Sequence, residues 1–235
     1  MHDHHQTARQ ALTENFRNYL KPSMYCVTHR LDDVRGLRSL DYDLFILERD
    51  CTLHGYHGKK RVPEFEETLK MISSRSELVS NSSYDELLRI RDVFGDIMPV
   101  SKLVNFEGYD CPFLLRFVCG RLSVLEVISD TTIRDATHRM SQGDKLFGSI
   151  TYNFKKPNPK IIEAVITANI ALDRIPEQPK VLMVGDRYLT DIVAGNLARV
   201  DTARVRPYKP LTDKSDLILV RYALDSPVGN LMSRM

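Results

Sequence analysis

Three short apolar runs in this chain each stop abruptly at a cluster of polar groups, and that pattern limits the possible folds. Tyr42–Leu47 is aromatic and branched aliphatic, then gives way to Glu48-Arg49-Asp50-Cys51-Thr52. Leu78-Val79 stops at Ser80-Asn81-Ser82-Ser83, and Val181-Leu182-Met183-Val184 closes on Gly185-Asp186. Short runs that are apolar almost throughout read as strands buried on both faces. Between them the spacing predicts helices. Pro63–Met71 has proline at its start and glutamate in its first turn. Ser83 is placed to cap Tyr84–Val93, with Glu86 at capping-box distance. Pro157–Leu172 carries Ile161, Ile162, Val165, Ile166 and Ile170 at helical spacing, and Leu189–Ala198 follows the third strand. Ala203-Arg204-Val205 is one more candidate strand. Strands alternating with helices predict an α/β fold around a parallel sheet covered on both faces. Ligands bind beyond the carboxyl ends of such strands, so the polar clusters converge on one candidate edge.

Composition narrows the class. Of 235 residues, 43% are apolar and 27% charged, which excludes collagen-like and wholly disordered chains. No apolar run approaches the roughly 18 residues a membrane span needs. The formal charge of +2 gives no bulk reason to expect a nucleic-acid partner. Cys26, Cys51, Cys111 and Cys119 form no C-x-x-C pair, a pattern that fits a reducing compartment better than a disulfide framework. The N-terminus lacks the apolar core of a secretory signal, but Arg9 and Arg17 with few acids admit a mitochondrial transit peptide. His2, His4 and His5 are either metal ligands or part of a solvated terminus, and the second reading is preferred.

The order of the polar clusters is specific. An acidic-x-acidic-x-Thr segment follows the first strand and Ser80-Asn81 the second. Lys155-Lys156-Pro157 precedes a helix, and Gly185-Asp186-Arg187-Tyr188-Leu189-Thr190-Asp191 follows a later strand. This order resembles the haloacid dehalogenase (HAD) superfamily of phosphatases, with its Rossmann-like doubly wound sheet. Tyr19-Leu20-Lys21-Pro22, Lys155-Lys156-Pro157 and the segment Leu182 to Asn196 resemble its YqeG-type branch, which includes mitochondrial phosphatidylglycerophosphate phosphatases. The resemblance implies a role for each residue. Glu48 stands at the nucleophile position, and Asp50 is the general acid/base for the leaving group and then for water. Thr52, Ser80 and Asn81 bind the phosphoryl group, and Lys156 neutralises it. Mg²⁺ is held by Glu48, the Asp50 carbonyl and Asp186, with Asp191 supporting that shell. Taken singly, each cluster has a plain structural account as a turn, a helix flank or a strand-end cap. Taken together, in family order, they favour an inherited phosphatase scaffold.

Two departures from the family pattern shape the functional expectation. Glutamate replaces aspartate at position 48, and Cys51 stands where this branch usually has asparagine. The added methylene moves the carboxylate forward by roughly 1–1.5 Å. A misplacement of about 1 Å can cost on the order of a hundredfold in rate. The second departure is the long interval from Ser80 to Lys156, which contains the apolar stretches Phe113–Val118 and Leu122–Ile128. The expected organisation is an extension over 1–17, a HAD-like core over 18–94 and 149–210, an insertion over 95–148, and a tail over 211–235. The insertion reads as a cap, a docking arm for protein partners, or strands that extend the core.

The favoured function is a pseudophosphatase acting as a structural or binding subunit of a mitochondrial assembly. The alternative is an active Mg²⁺-dependent phosphatidylglycerophosphate phosphatase at a membrane surface, serving cardiolipin synthesis. A phosphatase for another small phosphate ester, with the insertion as its cap, is also open. A metal octahedron touching Glu48 and Asp186 points to activity. A Glu48 drawn into a salt bridge with Lys156 or Arg187 points to a scaffold.

Overall fold

The computed structural model describes residues 23–25, 41–53, 69–141 and 150–205. The expected terminal segments 1–17 and 211–235, the lead-in Tyr19–Pro22, the histidines near residue 4 and the start of the 63–71 helix lie outside them. Among the described residues there are ten strands: β1 (Met24–Tyr25), β2 (Leu44–Leu47), β3 (Ser76–Val79), β4 (Val100–Phe106), β5 (Phe113–Val118), β6 (Arg121–Ser129), β7 (Thr132–Asp135), β8 (Ile150–Asn153), β9 (Val181–Gly185) and β10 (Asp201–Arg204). The helices are α1 (Tyr84–Phe94), α2 (Thr137–Ser141), α3 (Lys160–Ala171) and α4 (Val193–Leu197). Residues 69–72 are also helical, at the end of the expected 63–71 helix.

All ten strands form one sheet in the order β1-β10-β9-β2-β3-β4-β5-β6-β7, with β8 added to β4. The run from β1 to β4 is parallel. Strands β5, β6, β7 and β8 are antiparallel to their neighbours. The fold is therefore α/β as expected, but the sheet is mixed. Segment 95–148 does not form a separate layer over the described part of the molecule. Its first strand, β4, is a parallel core strand beside β3, and β5 to β7 prolong the same sheet. Of the three readings kept open for it, strands extending the core match this geometry. Two-residue periodicity accounts for them: Phe113, Leu115 and Phe117 enter one core, and Leu114 enters the other.

The same alternation builds both faces of the central strands. Phe45 and Leu47 of β2 pack with Leu87, Ile90 and Phe94 of α1 on one side. Leu44 and Ile46 pack with Ile161, Ile162, Val165 and Ala168 of α3 on the other. Full burial of each such side chain contributes about 1.5–3 kcal/mol relative to exposure. Ile166 and Ile170, also expected on the apolar face of α3, lie at the rim of this core, half-buried.

One fully polar cluster sits inside the α3 face. Glu77 of β3 is completely buried and accepts from Arg116 of β5 at 2.9 Å and 3.1 Å, from Asn169 of α3 at 2.8 Å, and from Ser101 of β4. Arg116 also donates to Asn169 at 3.1 Å. Every charge here meets an opposite charge or a hydrogen-bond partner, as a buried polar network requires. The network ties three strands and one helix together by directional bonds.

Candidate functional site

The carboxyl ends of β2, β3 and β9 carry the polar clusters, and parallel pairing brings them side by side. Leu47 is paired with both Leu78 and Val184, so Glu48, Val79-Ser80 and Gly185-Asp186 leave the sheet at one level. The Glu48 N–H continues the ladder by donating to the Val184 carbonyl at 2.9 Å. After Glu48 the chain turns sharply. Cys51 takes a left-handed conformation with φ 59°, and the Leu53 N–H donates back to the Arg49 carbonyl at 2.9 Å.

At the centre is a buried chain of charges. The Lys156 ammonium lies between the Glu48 and Asp191 carboxylates, within 2.8 Å of Asp191 Oδ1 and bonded to Glu48 Oε2. It also approaches the Val79 carbonyl at 3.4 Å. Burial alone would favour the neutral amine, but Asp191 and Glu48 push the Lys156 pKa above its ordinary value. Burial pushes the Glu48 carboxyl up; Lys156 opposes that, while Asp191 and Asp50 add to it. The arrangement is a cation shared by two carboxylates in a low-dielectric pocket.

Asn81 positions this lysine. Its side-chain oxygen accepts from the Lys156 N–H at 2.7 Å and its amide nitrogen donates to the Lys156 carbonyl at 3.1 Å. The sequence expectation gave Asn81 to the phosphoryl group. In the structure both ends of its amide bond the backbone of Lys156, which brings the 80–83 loop alongside the 155–157 segment. Ser80 is buried and its hydroxyl pairs with that of Ser82 at 2.9 Å. Thr52 is 7% exposed, and its buried hydroxyl has no hydrogen-bond partner among the described residues. An orphaned hydroxyl at a strand end suits a ligand oxygen.

Asp191 reaches the lysine by an unusual backbone. Tyr188–Ile192 forms a π-helical turn in place of the first part of the expected 189–198 helix, and α4 follows it. Such turns are frequent at functional sites. Asp191 Oδ2 accepts from the Arg187 N–H at 3.1 Å while Oδ1 faces Lys156. Gly185 permits this, because a Cβ there would overlap the Asp191 side chain. Gly185→Ala is therefore expected to cost about 1–3 kcal/mol in urea unfolding, by forcing Asp191 off its lysine. Asp186, one residue on, is 1% exposed at the end of β9.

The residue that sequence reasoning passed over is Arg49. It is 1% exposed, and its guanidinium grips Asp50 with two hydrogen bonds of 2.9 Å. Its third contact is Glu86 at 2.6 Å. Glu86 was expected to close a capping box on α1. Only half of that box forms: Ser83 Oγ accepts from the Glu86 N–H at 3.3 Å, and the Glu86 carboxylate turns to Arg49. Burial acts against the charge on Arg49, yet Asp50 and Glu86 hold its pKa above the ordinary value. A lone arginine between two acids, next to a strand end, was the available sequence signal.

The donor set can be tested against the divalent cation that the resemblance implies. Glu48 Oε1 accepts from the Asp50 N–H at 3.1 Å and Oε2 from Lys156. Both Asp50 oxygens accept from Arg49, and both Asp191 oxygens have protein partners. Among the described residues no three His, Cys, Asp or Glu side chains gather in a group able to hold a metal ion. As arranged, the Glu48 and Asp191 carboxylates are committed to protein partners, and the Asp50 carbonyl and the buried Asp186 are the remaining groups that the resemblance gives to the ion. An ion at Glu48 would have to displace the lysine.

The family model described as HAD-hydrolase-like matches residues 153–209, the stretch that carries Lys156, α3, β9, Asp186, Asp191 and β10. The matched stretch, about a quarter of the chain, is similar to HAD-like hydrolases. No curated protein and no solved structure matches the chain. Among the described residues no helix is long and apolar enough to cross a membrane.

Proposed function

We propose that this chain is a phosphatase-fold protein with impaired turnover that serves as a binding subunit. One observation carries the reading: the two-point grip of Arg49 on Asp50. A general acid must hold a proton and release it to a leaving group. A carboxylate that accepts two hydrogen bonds from a buried guanidinium is stabilised in its ionised form and faces away from that task. The Glu48–Lys156 salt bridge supports the same reading, since a nucleophile paired with an ammonium attacks less readily. The narrower family resemblance suggests a mitochondrial assembly as the setting, and the outer antiparallel strands of 95–148 are the surface such a partner would meet.

The experiment is a Mg²⁺-supplemented phosphatase assay with a general phosphomonoester and with phosphatidylglycerophosphate. The natural protein is expected to turn over slowly. Glu48→Asp together with Arg49→Met should raise the rate by about a hundredfold or more. Natural activity that Glu48→Asp changes only slightly, and that Asp50→Asn abolishes, would overturn the proposal. That outcome would favour an active phosphatidylglycerophosphate phosphatase, a reading the orphaned Thr52 hydroxyl favours because it leaves a phosphoryl-binding group ready.

A further inference from the structure

The opposite edge of the sheet holds a cavity that the candidate site does not use. Its volume is about 180 Å³, and it lies where β3 and β4 begin and β5 ends, lined in part by Ser74, Asp96, Met98, Pro99, Val118 and Arg174. The four residues of β3 separate it from the Ser80 edge, a span of about 13 Å. At about 30 Å³ for each water, the space holds about six waters, or one molecule of about that many heavy atoms.

Arg174 follows α3 and brings a guanidinium to the wall, with 29% of its side chain exposed. Its hydrogen bonds go to two neutral oxygens, Asn169 Oδ1 at 3.0 Å and the Ser74 carbonyl at 3.3 Å. Glu77 lies 4.0 Å away, but Arg116 already holds it through two bonds. Two guanidiniums thus share one buried carboxylate. Burial and Arg116 pull the Arg174 pKa below its ordinary value, and Glu77 only partly restores it. A guanidinium has five N–H donors, and most of those on Arg174 are unused among the described residues. A planar fork with spare donors on a concave wall suits a carboxylate.

An opposite charge lines the same cavity. Asp96 follows the end of α1 at Phe94, where the helix presents its last carbonyls and the negative end of its dipole. Both favour a cation at that end. Met98, Pro99 and Val118 give the cavity apolar walls, and Met98 is 2% exposed.

We propose that this cavity binds a small zwitterion of the α-amino-acid class. Its carboxylate meets Arg174, its ammonium lies toward Asp96 and the end of α1, and a short apolar side chain packs on Met98, Pro99 and Val118. The cavity is at the other end of the strands from Lys156, so this assignment stands or falls separately from the proposal about turnover.

The test is calorimetric titration of the full chain with 2-aminobutyrate. The natural protein is expected to bind it in the millimolar range, as suits a ligand of so few atoms. Butyrate and propylamine each lack one of its charges and should bind at least about tenfold more weakly. Arg174→Gln should weaken 2-aminobutyrate by about tenfold or more. Asp96→Asn should weaken it too while leaving butyrate no weaker, since that change removes an acid from the wall. Arg174→Gln also loses bonds to Asn169 and to the Ser74 carbonyl, so a second variant guards against a folding defect. Ser74 is exposed at the rim, and Ser74→Phe fills the cavity while keeping the backbone carbonyl that Arg174 uses. It is expected to abolish binding without lowering the melting temperature of the ligand-free chain. No binding of 2-aminobutyrate by the natural protein overturns the proposal. So does equal affinity for butyrate, or undiminished binding in Arg174→Gln or Ser74→Phe.

Discussion

Replacing Lys156 with methionine is expected to lower the unfolding free energy by about 3–5 kcal/mol, the range for breaking a buried ion pair by removing one partner. The methionine is close in volume, so little of the loss comes from a cavity. What remains is Glu48 and Asp191, both nearly excluded from water and no longer separated by a cation. The pH dependence identifies the cause. Glu48 is already held above its ordinary carboxyl value of 4.5 by burial, and loss of Lys156 removes the main opposing influence. A carboxyl whose pKa is raised in the folded state favours folding while it is protonated. The benefit is full below the ordinary value and is lost as pH rises through the folded one. The variant should therefore be least impaired near about pH 4.5 and lose stability steadily toward neutral pH, more steeply than the natural chain. Urea titrations at several pH values measure this. A flat difference would mean that packing of the lysine stem, not charge, dominates.

The second large effect is expected at the Glu77–Arg116 pair. Arg116→Met alone should cost about 3–5 kcal/mol, because Glu77 would stay fully buried with only neutral partners and the half-buried Arg174, 4.0 Å away. Replacing both, as Glu77→Gln with Arg116→Met, should recover most of that loss, since a neutral amide can still bond Ser101 and Asn169. A double-mutant cycle by chemical denaturation gives the coupling, and neighbours of this kind are expected to depart from additivity by about 0.5–3 kcal/mol. Simple addition of the two single effects would show that the ion pair is not what holds β5 to the rest.

Both predictions turn on buried charges, and these are the features that the sequence displayed least well. The central strands were legible because Leu44–Leu47 and Val181–Gly185 are short and apolar at every position, as strands covered on both faces are. Ser83 was legible as a helix cap because its chemistry is local, and its bond to the Glu86 N–H is present. Glu86 itself was misjudged because Arg49, a residue 37 positions away, competes for its carboxylate. The bonds of Asn81 to the Lys156 backbone were hidden for the same reason: the two residues are 75 positions apart. Glu77, Arg116 and Asn169 looked like ordinary charged and polar residues of strands and a helix. Nothing in their local spacing says that all three point inward to one another.

The extra strands were partly legible. Phe113–Val118 and Leu122–Ile128 showed as apolar stretches, but whether they formed a cap or joined the sheet depends on pairing partners that no local pattern names. The ladder from Val100–Phe117 to Val104–Phe113 answers that for β5.

The way β4 is shared has a mechanical meaning. One edge carries β3 near its start and β8 near its end, while the other carries β5 along most of its length. Strand β8 leads directly to Lys156. A lid swings because it meets its base at hinges. Here β5 is paired with β4 along most of its length and β8 is paired with it over three residues, and the exit from β8 delivers the central lysine. Among the described residues the candidate edge therefore has a sheet wall on this side rather than a hinged door, and a ligand there would meet that wall.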